Sequence, residues 1–325
     1  MNFKKFLINL KKKKILLLGD FFLDQFIYGS SSRLSPEAPV PIINPEKSIF
    51  SLGGAGNVLL NLRNIKMNVM PVSLIGLDSN SKMILNILKS RNVSTDFFLK
   101  DKDIKGILKQ RFVIKNQHVL RVDYEELNFK IINRNINKFK SIIKKLAKEY
   151  DLLLVSDYGK GSLNSDLIKY SIDLFNNEKK ISIIDPRKKF NNYSAYSYAT
   201  FITPNLNEVR NLYPNLENID KEIIVAAKKI IKEYSIKNII IKRGEKGLTF
   251  VNNLNINHLK SVAREVYDVS GAGDTIIACF AAGILGGLTV KESLKLSNRC
   301  AAYVISLIGT QPISFDKFSD FFKKL

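Results

Sequence analysis

The chain has 325 residues, of which 45% are hydrophobic, so it is long enough to bury a large core and is predicted to be soluble and globular. Its net charge of +21 comes mostly from lysines, which occur along the whole chain with many asparagines and isoleucines and indicate a drift toward AT-rich codons. A nucleic-acid-binding surface would concentrate basic residues in one stripe with interleaved aromatic residues, so nucleic acid is not expected as a partner.

The N-terminal segment resembles a signal peptide only superficially. The basic run Lys11–Lys14 precedes the apolar segment Ile15–Leu18, which is shorter than the roughly 7–15 residues of a secretory core. No other segment reaches the roughly 18 uninterrupted apolar residues of a membrane span. We therefore expect a cytoplasmic protein without a membrane partner.

Few residues offer a metal site or a covalent catalytic centre. Cys279 and Cys300 lie in apolar helical patterns, which predict buried free thiols. His118 and His258 are the only histidines, so histidine-based metal binding and nucleophilic catalysis are both disfavoured.

Short apolar runs of strand character alternate along the chain with stretches of helical periodicity. The predicted strands are Lys14–Leu18, Asn68–Ile75, Leu152–Ser156, Ile181–Asp185, Thr200–Thr203 and Asn238–Lys242. The predicted helices include Leu127–Glu149, Glu222–Tyr234 and Val290–Leu307. This alternation predicts an α/β fold with a doubly wound, mostly parallel sheet flanked by helices, and its functional side chains should follow the carboxyl ends of the strands.

Two stretches depart from this rhythm. Phe21–Pro45 and Ile104–Tyr124 alternate with period two, and the second stretch has a hairpin signal at Asn116-Gln117. We predict one domain over residues 1–325, with a small β lid formed by about residues 21–45 and 104–124.

The most informative motif is the turn Asp268-Val-Ser-Gly-Ala-Gly-Asp274, which opens into the apolar helix Thr275–Leu285. Backbone N–H groups and a helix N-terminus lie here beside a carboxylate, an arrangement that suits phosphoryl transfer to a hydroxyl. A tight connection without a function is the alternative for such a turn.

Two segments nearer the N-terminus are candidates for contacts with a polyol. Asp24 follows the first strand among apolar neighbours and could accept hydrogen bonds from hydroxyls, or it could belong to a turn. The glycines at 53, 54 and 56 lead through Asn57 into a predicted helix, Val58–Ile65, and would allow a close approach of backbone to ligand, or would form only a flexible loop.

Two further strand ends pair an acid with a cation. Asp157 is followed by Lys160, and Asp185 by Arg187. Such pairs suit an anionic, hydroxylated substrate, although local ion pairing is the simpler alternative.

Two later strand ends favour nucleotide binding. Asn205 and Glu208 share one side of a helix start and could hold water-coordinated Mg²⁺ beside phosphates, with a helix-capping interaction as the rival. The segment Lys242–Gly247 combines glycines and cations, which suits nucleotide phosphates or a charged hairpin turn.

In this order the motifs resemble those of the ribokinase-like (PfkB) carbohydrate kinase family over essentially the whole chain. The segments Ser32–Pro41 and Ser156–Gly161 resemble those of the D-glycero-β-D-manno-heptose 7-phosphate kinases within it. That resemblance implies transfer of phosphate from ATP to the anomeric hydroxyl, giving the 1,7-bisphosphate on the route to ADP-heptose for the lipopolysaccharide core. Kinases for another sugar or sugar phosphate, and a non-catalytic sugar-phosphate sensor, are the alternatives.

The resemblance also implies a role for each matching residue. Asp274 would be the base, and the amides of Gly271, Ala272 and Gly273 would stabilise the transferred group. The remaining implied contacts are with the sugar (Asp24, Gly53, Gly54, Asn57 and Asp157), the substrate phosphate (Arg33, Lys160 and Arg187), Mg²⁺ (Asn205 and Glu208) and the nucleotide (Asn205, Glu208, Lys242, Gly244, Gly247 and Asn298). In many members the family further implies a monovalent cation such as K⁺ near Asp268. Apart from the resemblance, we predict a homodimer in which the two lid segments pair between subunits, because an exposed two-stranded lid would otherwise leave an open edge.

The chain departs from the family pattern at three points. Ser270 stands where threonine is usual, and Gly56 adds a glycine before the helix. No His-x-Gly-His element is present, so we expect no adenylyltransferase domain in this chain, and either a monofunctional kinase or the kinase part of a split protein fits.

Overall fold

The computed structural model describes residues 2–115, 117–128, 130–187, 191–263, 265–307 and 309–325. The strands within these ranges are β1 Lys14–Gly19, β2 Phe21–Ser30, β3 Asn44–Gly54, β4 Asn68–Ile75, β5 Phe98–Lys100, β6 Leu108–Ile114, β7 Gln117–Tyr124, β8 Leu152–Ser156, β9 Ile181–Asp185, β10 Phe201–Ile202, β11 Asn238–Lys242, β12 Leu248–Asn252 and β13 Ile256–Leu259. The helices are α1 Phe3–Lys11, α2 Ala55–Asn64, α3 Ser79–Ser90, α4 Lys130–Ala147, α5 Ser165–Asn177, α6 Leu206–Arg210, α7 Asp220–Tyr234, α8 Ala272–Gly286, α9 Val290–Val304 and α10 Phe315–Lys323.

The larger sheet has the strand order β13-β12-β11-β10-β9-β8-β1-β4-β5. Pairing is parallel from β11 to β5 and antiparallel only along β11-β12-β13. All six predicted strands lie in this sheet. The strand predicted at Thr200–Thr203 is shorter in the structure, where only Phe201–Ile202 pairs as β10.

Burial on both faces explains why these strands contain unbroken apolar runs. Ile15 and Leu17 of β1 pack into a core with α1, α2, α8, α9 and α10, whereas Leu16 and Leu18 point into a second core with α4, α5 and α7. Central strands of a sheet that is covered on both faces are shielded from water on both sides, so no polar alternation is expected along them. The predicted α/β fold with a mostly parallel, doubly wound sheet is confirmed.

Two helices begin earlier than the sequence predicted. α2 begins at Ala55 instead of Val58, and α8 begins at Ala272 instead of Thr275. Each follows a glycine with positive φ, Gly54 at 61° and Gly271 at 79°, which allows the chain to turn directly into the helix. As a result, Asn57 and Asp274 lie in first helical turns, where the sequence interpretation placed them in loops.

The second sheet has the order β3-β2-β6-β7. Its strands β2 and β3 lie at the two ends of the predicted stretch 21–45, and β6 and β7 lie within the stretch 104–124, but β3 continues to Gly54, beyond the predicted limit at residue 45. Asn116 of the predicted hairpin lies outside the described residues. We call these four strands the lid; their assignment to a single domain spanning residues 1–325 stays a prediction.

Two further observations concern the cysteines and the length of the apolar helices. Cys279 and Cys300 are free and buried, as predicted. In the part of the chain that the structure describes, no helix combines the length and apolar character needed to cross a bilayer.

Candidate active site

The site forms where the carboxyl ends of β1, β8, β9 and β11 meet the N-terminus of α8. Parallel pairing brings Gly19 beside Ser156, and Ser156 beside Asp185, so the residues that follow these strands share one edge of the sheet. The ends of adjacent parallel strands are where open α/β sheets bind ligands.

Asp274 lies at the centre of this edge and is only 4% exposed. The Asn57 amide nitrogen donates to its Oδ2 at 2.8 Å, and the Tyr158 hydroxyl donates to its Oδ1 at 2.7 Å. Burial raises the pKa of Asp274 to about 7, against the lowering effect of these two hydrogen bonds. A carboxylate with a pKa near neutrality is suited to accept a proton from a hydroxyl.

The turn before Asp274 is shaped by two glycines. A β-carbon at Gly271 would lie 2.7 Å from the Asn57 amide nitrogen, and one at Gly273 would lie 3.3 Å from the Lys242 ammonium nitrogen. The first N–H groups of a helix have no intrahelical acceptor. The amides of Gly271, Ala272 and Gly273 lie at the start of α8 beside the Lys242 ammonium group, and that of Ala272 donates to the Val269 carbonyl at 3.3 Å. An anionic group is stabilised at such a position.

Lys242, predicted to contact the nucleotide, lies near Asp274 and its charge acts on that carboxylate. Its ammonium nitrogen donates to the carboxylate of Asp185, which also accepts a hydrogen bond from the Thr203 hydroxyl at 2.8 Å. Burial lowers the pKa of Lys242, but the charges of Asp185 and Glu208 outweigh burial and raise it overall. Lys242 therefore carries a positive charge at neutral pH beside the N-terminus of α8.

Asn205 and Glu208 form a capping box at the start of α6. The Asn205 side chain accepts from the Glu208 backbone at 2.9 Å, and the Glu208 carboxylate accepts from the Asn205 backbone and amide at 2.7 and 2.6 Å. The rival capping interpretation is thus present in the structure, while the metal-binding interpretation stays a prediction. Among the described residues no cluster of three or more His, Cys, Asp or Glu side chains could enclose a metal ion.

On the lid side, Asp24 forms an ion pair with Arg111 of β6. Burial raises the pKa of Asp24, and Arg111 opposes that rise. A β-carbon at Gly53 would lie 2.5 Å from an Asp24 carboxylate oxygen, so the glycine leaves room for this acid. The sequence interpretation missed Arg111, whose pairing across the sheet has no local sequence signal.

A second group of cations lies near this pair. Lys109 of β6 and Lys160 of the loop after β8 both contact the carboxylate of Glu125. Lys109 and Arg111 are two residues apart on one strand and so point to the same face of the lid. Of the three cations predicted to bind a substrate phosphate, the structure places Lys160 in this group.

The loop Asp157–Ser162 is held by an acid that the sequence interpretation did not assign. The Asp20 carboxylate accepts hydrogen bonds from the backbone N–H groups of Tyr158, Lys160 and Ser162 at 2.9–3.1 Å. The Asp157 carboxylate accepts a hydrogen bond from the Tyr196 hydroxyl at 2.8 Å. Burial, with the charge of Asp20, raises the pKa of Asp157 to about 6.

The remaining predicted contact residues have the following surroundings. The Arg187 side chain is 3.7 Å from the Asp157 carboxylate, whereas Asp185 pairs with Lys242 and Lys160 pairs with Glu125. These ion pairs join residues that are distant in sequence and are not the local pairs offered as the alternative. Arg33 is exposed in the segment between β2 and β3. Gly244 and Gly247 have φ of 62° and 82°, and Asn298 of α9 donates to the Lys260 carbonyl at 2.8 Å. The structure brings together Asp274, Asn57, Lys242 and the α8 turn, and leaves the roles of these outer residues as predictions.

Comparison with known proteins agrees with this geometry. A family model described as pfkB family carbohydrate kinase matches residues 12–317. The curated bifunctional protein HldE of Helicobacter pylori is 37% identical over 315 residues, which cover 94% of this chain and 66% of that protein. The HldE of Campylobacter fetus is 32% identical over 307 residues with the same coverage. The chain therefore spans 66% of the length of these relatives.

Solved structures share the fold at much lower identity. Phosphofructokinase-2 from Escherichia coli, in complex with substrates and products, matches with a TM-score of 0.79 and 15% identity over 96% of this chain and 99% of that one. A ribokinase from Arabidopsis thaliana, complexed with ribose and ATP, matches with a TM-score of 0.74, 15% identity and the same coverage. These likenesses concern the fold alone.

Proposed function

Because the chain belongs to the PfkB family of carbohydrate kinases, we propose that it phosphorylates the anomeric hydroxyl of D-glycero-β-D-manno-heptose 7-phosphate with ATP. The product would be the 1,7-bisphosphate, on the route to ADP-heptose and the lipopolysaccharide core. That the chain is a sugar kinase follows from the family; the heptose substrate and the position of transfer are the proposal. We place the reaction in the cytoplasm.

The observation that carries the proposal is the environment of Asp274. Its buried carboxylate has both oxygens fixed by donors and a pKa raised to about 7 by burial. In the proposed reaction it takes the proton of the attacking hydroxyl as the new oxygen–phosphorus bond forms. The α8 amides and Lys242 stabilise the charge on the transferred group.

The choice of substrate rests on the relatives and on the cations of β6 and of the loop after β8. The relatives named HldE are 32–37% identical across 94% of this chain, and the segments Ser32–Pro41 and Ser156–Gly161 support the same sugar. Arg111 pairs with the predicted sugar-binding Asp24, and Lys109 and Lys160 share the carboxylate of Glu125. Such a group of cations suits the phosphate that the sugar already carries.

ATP with Mg²⁺ is the proposed second substrate. The capping box engages Asn205 and Glu208 with each other, so these residues fit a water-mediated role better than direct coordination. Mg²⁺ usually keeps several waters beside phosphates. When bound, it would neutralise phosphate charge. We also propose a monovalent cation near Asp268, whose buried Oδ2 has no hydrogen-bond partner among the residues that the structure describes and lies 3.8 Å from Nε2 of His118.

Glu208→Gln separates the capping role from the metal role. Glutamine at this position preserves a capping box but removes the charge, so thermal stability should change little. If Glu208 helps to organise Mg²⁺, the Mg²⁺ concentration for half-maximal activity should rise roughly tenfold. An unchanged Mg²⁺ dependence would leave capping as the role of Glu208.

We also propose a homodimer that pairs through the lid. β3 and β7 are the edge strands of the lid, and they carry exposed apolar side chains at Ile49, Phe50, Val119 and Leu120. Open edges of a small sheet are usually paired or covered.

Leu120→Asp is expected to convert the dimer to a monomer, because it places a charge in an apolar interface. Light scattering at micromolar concentration measures the change. Leu254→Asp is the matched control, since Leu254 is 90% exposed in the turn between β12 and β13, away from the lid. A wild-type protein that is already monomeric would contradict the dimer.

ADP release across a panel of sugars tests the substrate. The panel holds D-glycero-D-manno-heptose 7-phosphate, fructose phosphates and ribose, each with Mg-ATP. Selective turnover of the heptose phosphate is expected. Turnover of another sugar would retain the kinase and replace its substrate, and ATP binding without any turnover would favour a sugar-phosphate sensor.

A further inference from the structure

Tyr158 has a contact that no motif in the sequence assigns. Its hydroxyl donates to Oδ1 of Asp274 at 2.7 Å, while Asn57 donates to Oδ2 of the same carboxylate at 2.8 Å. Each donor is distant in sequence from Asp274 and comes from a different element: Asn57 from α2 and Tyr158 from the loop after β8. The carboxylate is therefore held at both oxygens.

Tyr158 is itself held from two sides. Its backbone N–H donates to the Asp20 carboxylate at 3.0 Å. Its ring packs edge-on against Phe22 of β2, with 5.4 Å between the ring centroids and an interplanar angle of 75°. These contacts fix both the loop and the ring, so the direction of the hydroxyl toward Asp274 is determined by the fold.

We propose that Tyr158 is a positioning residue for phosphoryl transfer, whose hydroxyl fixes the rotation of the Asp274 carboxylate and favours its ionised form. The proposal rests on the proposed function, in which Asp274 is the base. A carboxylate oxygen has two acceptor positions, so Oδ1 can accept from Tyr158 and still accept from the sugar hydroxyl. A hydrogen bond to the ionised form of a carboxyl group stabilises that form.

Tyr158 does not act as the base. Burial, together with the charge of Asp274, raises the pKa of Tyr158 well above its ordinary value, so it stays a donor. In the reaction the sugar hydroxyl forms a bond to the γ-phosphorus, its proton passes to Asp274, and the bond from that phosphorus to the bridging oxygen of ADP breaks. Tyr158 keeps its proton throughout.

Four groups that face Asp274 influence its ionisation. Asn57, Tyr158 and Lys242 favour the ionised form, whereas Asp185 opposes it. Tyr158→Phe removes one favourable contact and keeps the ring against Phe22. Lys242 and Asp185 stay in place, so their opposing effects are the same in the variant and the wild type.

The test is the pH profile of kcat/KM for Tyr158→Phe, with the sugar that the wild type phosphorylates best. The acidic limb should move up by about one pH unit, the effect of one hydrogen bond to a charged group. Activity at pH 7 should fall by about fivefold, with KM for ATP within about twofold of the wild type. An acidic limb at the wild-type position would overturn the proposal.

Tyr196→Phe is the matched control. Tyr196 is also buried and donates to a buried carboxylate, that of Asp157, at 2.8 Å. Removing this hydroxyl should leave the acidic limb where it is in the wild type. An equal shift in both variants would attribute the effect to general loosening of the loop and would overturn the proposal.

A second measurement does not depend on turnover. Carbon-13 NMR of carboxyl-labelled aspartate follows the titration of Asp274, whose signal is identified by its loss in Asp274→Asn. The titration should move to higher pH in Tyr158→Phe and stay unchanged in Tyr196→Phe. If the wild type phosphorylates no sugar, the proposed function fails but this titration still decides the role of Tyr158. An Asp274 titration that is the same in all three proteins would overturn that role.

Discussion

Replacement of Asp274 by asparagine is expected to lower kcat by roughly a thousandfold, within the range that a positioned general base contributes. Asparagine has nearly the same shape and can still contact Asn57 and Tyr158, so the site should remain assembled. ATP and the sugar phosphate should therefore bind with affinities close to those of the wild type. ADP release measures turnover, and calorimetric titration measures binding.

The control for this variant is Asp166→Asn, which removes an exposed acid from the first turn of α5. Its turnover should equal that of the wild type. If Asp274→Asn retains more than a few per cent of wild-type activity, Asp274 is not the base and the mechanism must use another acceptor for the proton.

The second large effect concerns stability. Burial raises the pKa of Asp274 from 3.8 to about 7 in the folded state, so between these values the folded protein binds a proton that the unfolded chain releases. The free energy of unfolding should consequently fall as the pH rises from about 4 to about 7. The contribution of this single group is on the order of 4 kcal/mol.

Asp274→Asn should remove that contribution, since asparagine does not ionise. The variant should be more stable than the wild type at pH 8, and this advantage should shrink toward pH 5. Denaturant unfolding of both proteins at several pH values measures the difference. Asp157, whose pKa is also raised by burial, is present in both proteins. Its contribution therefore cancels from the difference in the free energy of unfolding. Parallel stability curves across this range would contradict the assigned environment of Asp274.

These two expectations describe one compromise. A buried carboxylate destabilises the ionised folded protein, and the same burial brings its pKa close to neutrality, where it can exchange a proton. Strained or destabilised active sites of this kind are the usual reason why stability and activity oppose each other. A more stable and inactive Asp274→Asn protein would therefore support both arguments together.

The sequence predicted the sheet well because burial on both faces leaves an unambiguous apolar run. Leu152–Ser156 and Asn238–Lys242 are strands with the predicted bounds. The starts of α2 and α8 were placed three residues late, since a glycine with positive φ can enter a helix directly and glycine gives no local sign of that choice. The first lid segment was ended at residue 45, whereas β3 continues to Gly54, where it pairs with Phe21 of β2.

At the site, local motifs pointed to Asp274 and the N-terminus of α8 but not to the residues that contact them from distant parts of the chain. The ion pair of Asp24 with Arg111, and the hydrogen bond of Tyr158 to Asp274, join positions 87 and 116 residues apart. Pairings at such separations depend on the topology of the sheets and leave no periodic pattern. Asn205 and Glu208 illustrate the opposite case, in which one local pattern fits both a cap and a metal contact.

The most direct test of the central claim is the position of the new phosphate. Wild-type protein incubated with Mg-ATP and D-glycero-β-D-manno-heptose 7-phosphate should give a bisphosphate with its second phosphate on the anomeric oxygen, observable by phosphorus-31 NMR as coupling to the anomeric proton. A second phosphate at any other hydroxyl, or ADP formed without a bisphosphate, would contradict the assignment of Asp274 as the base for the anomeric hydroxyl.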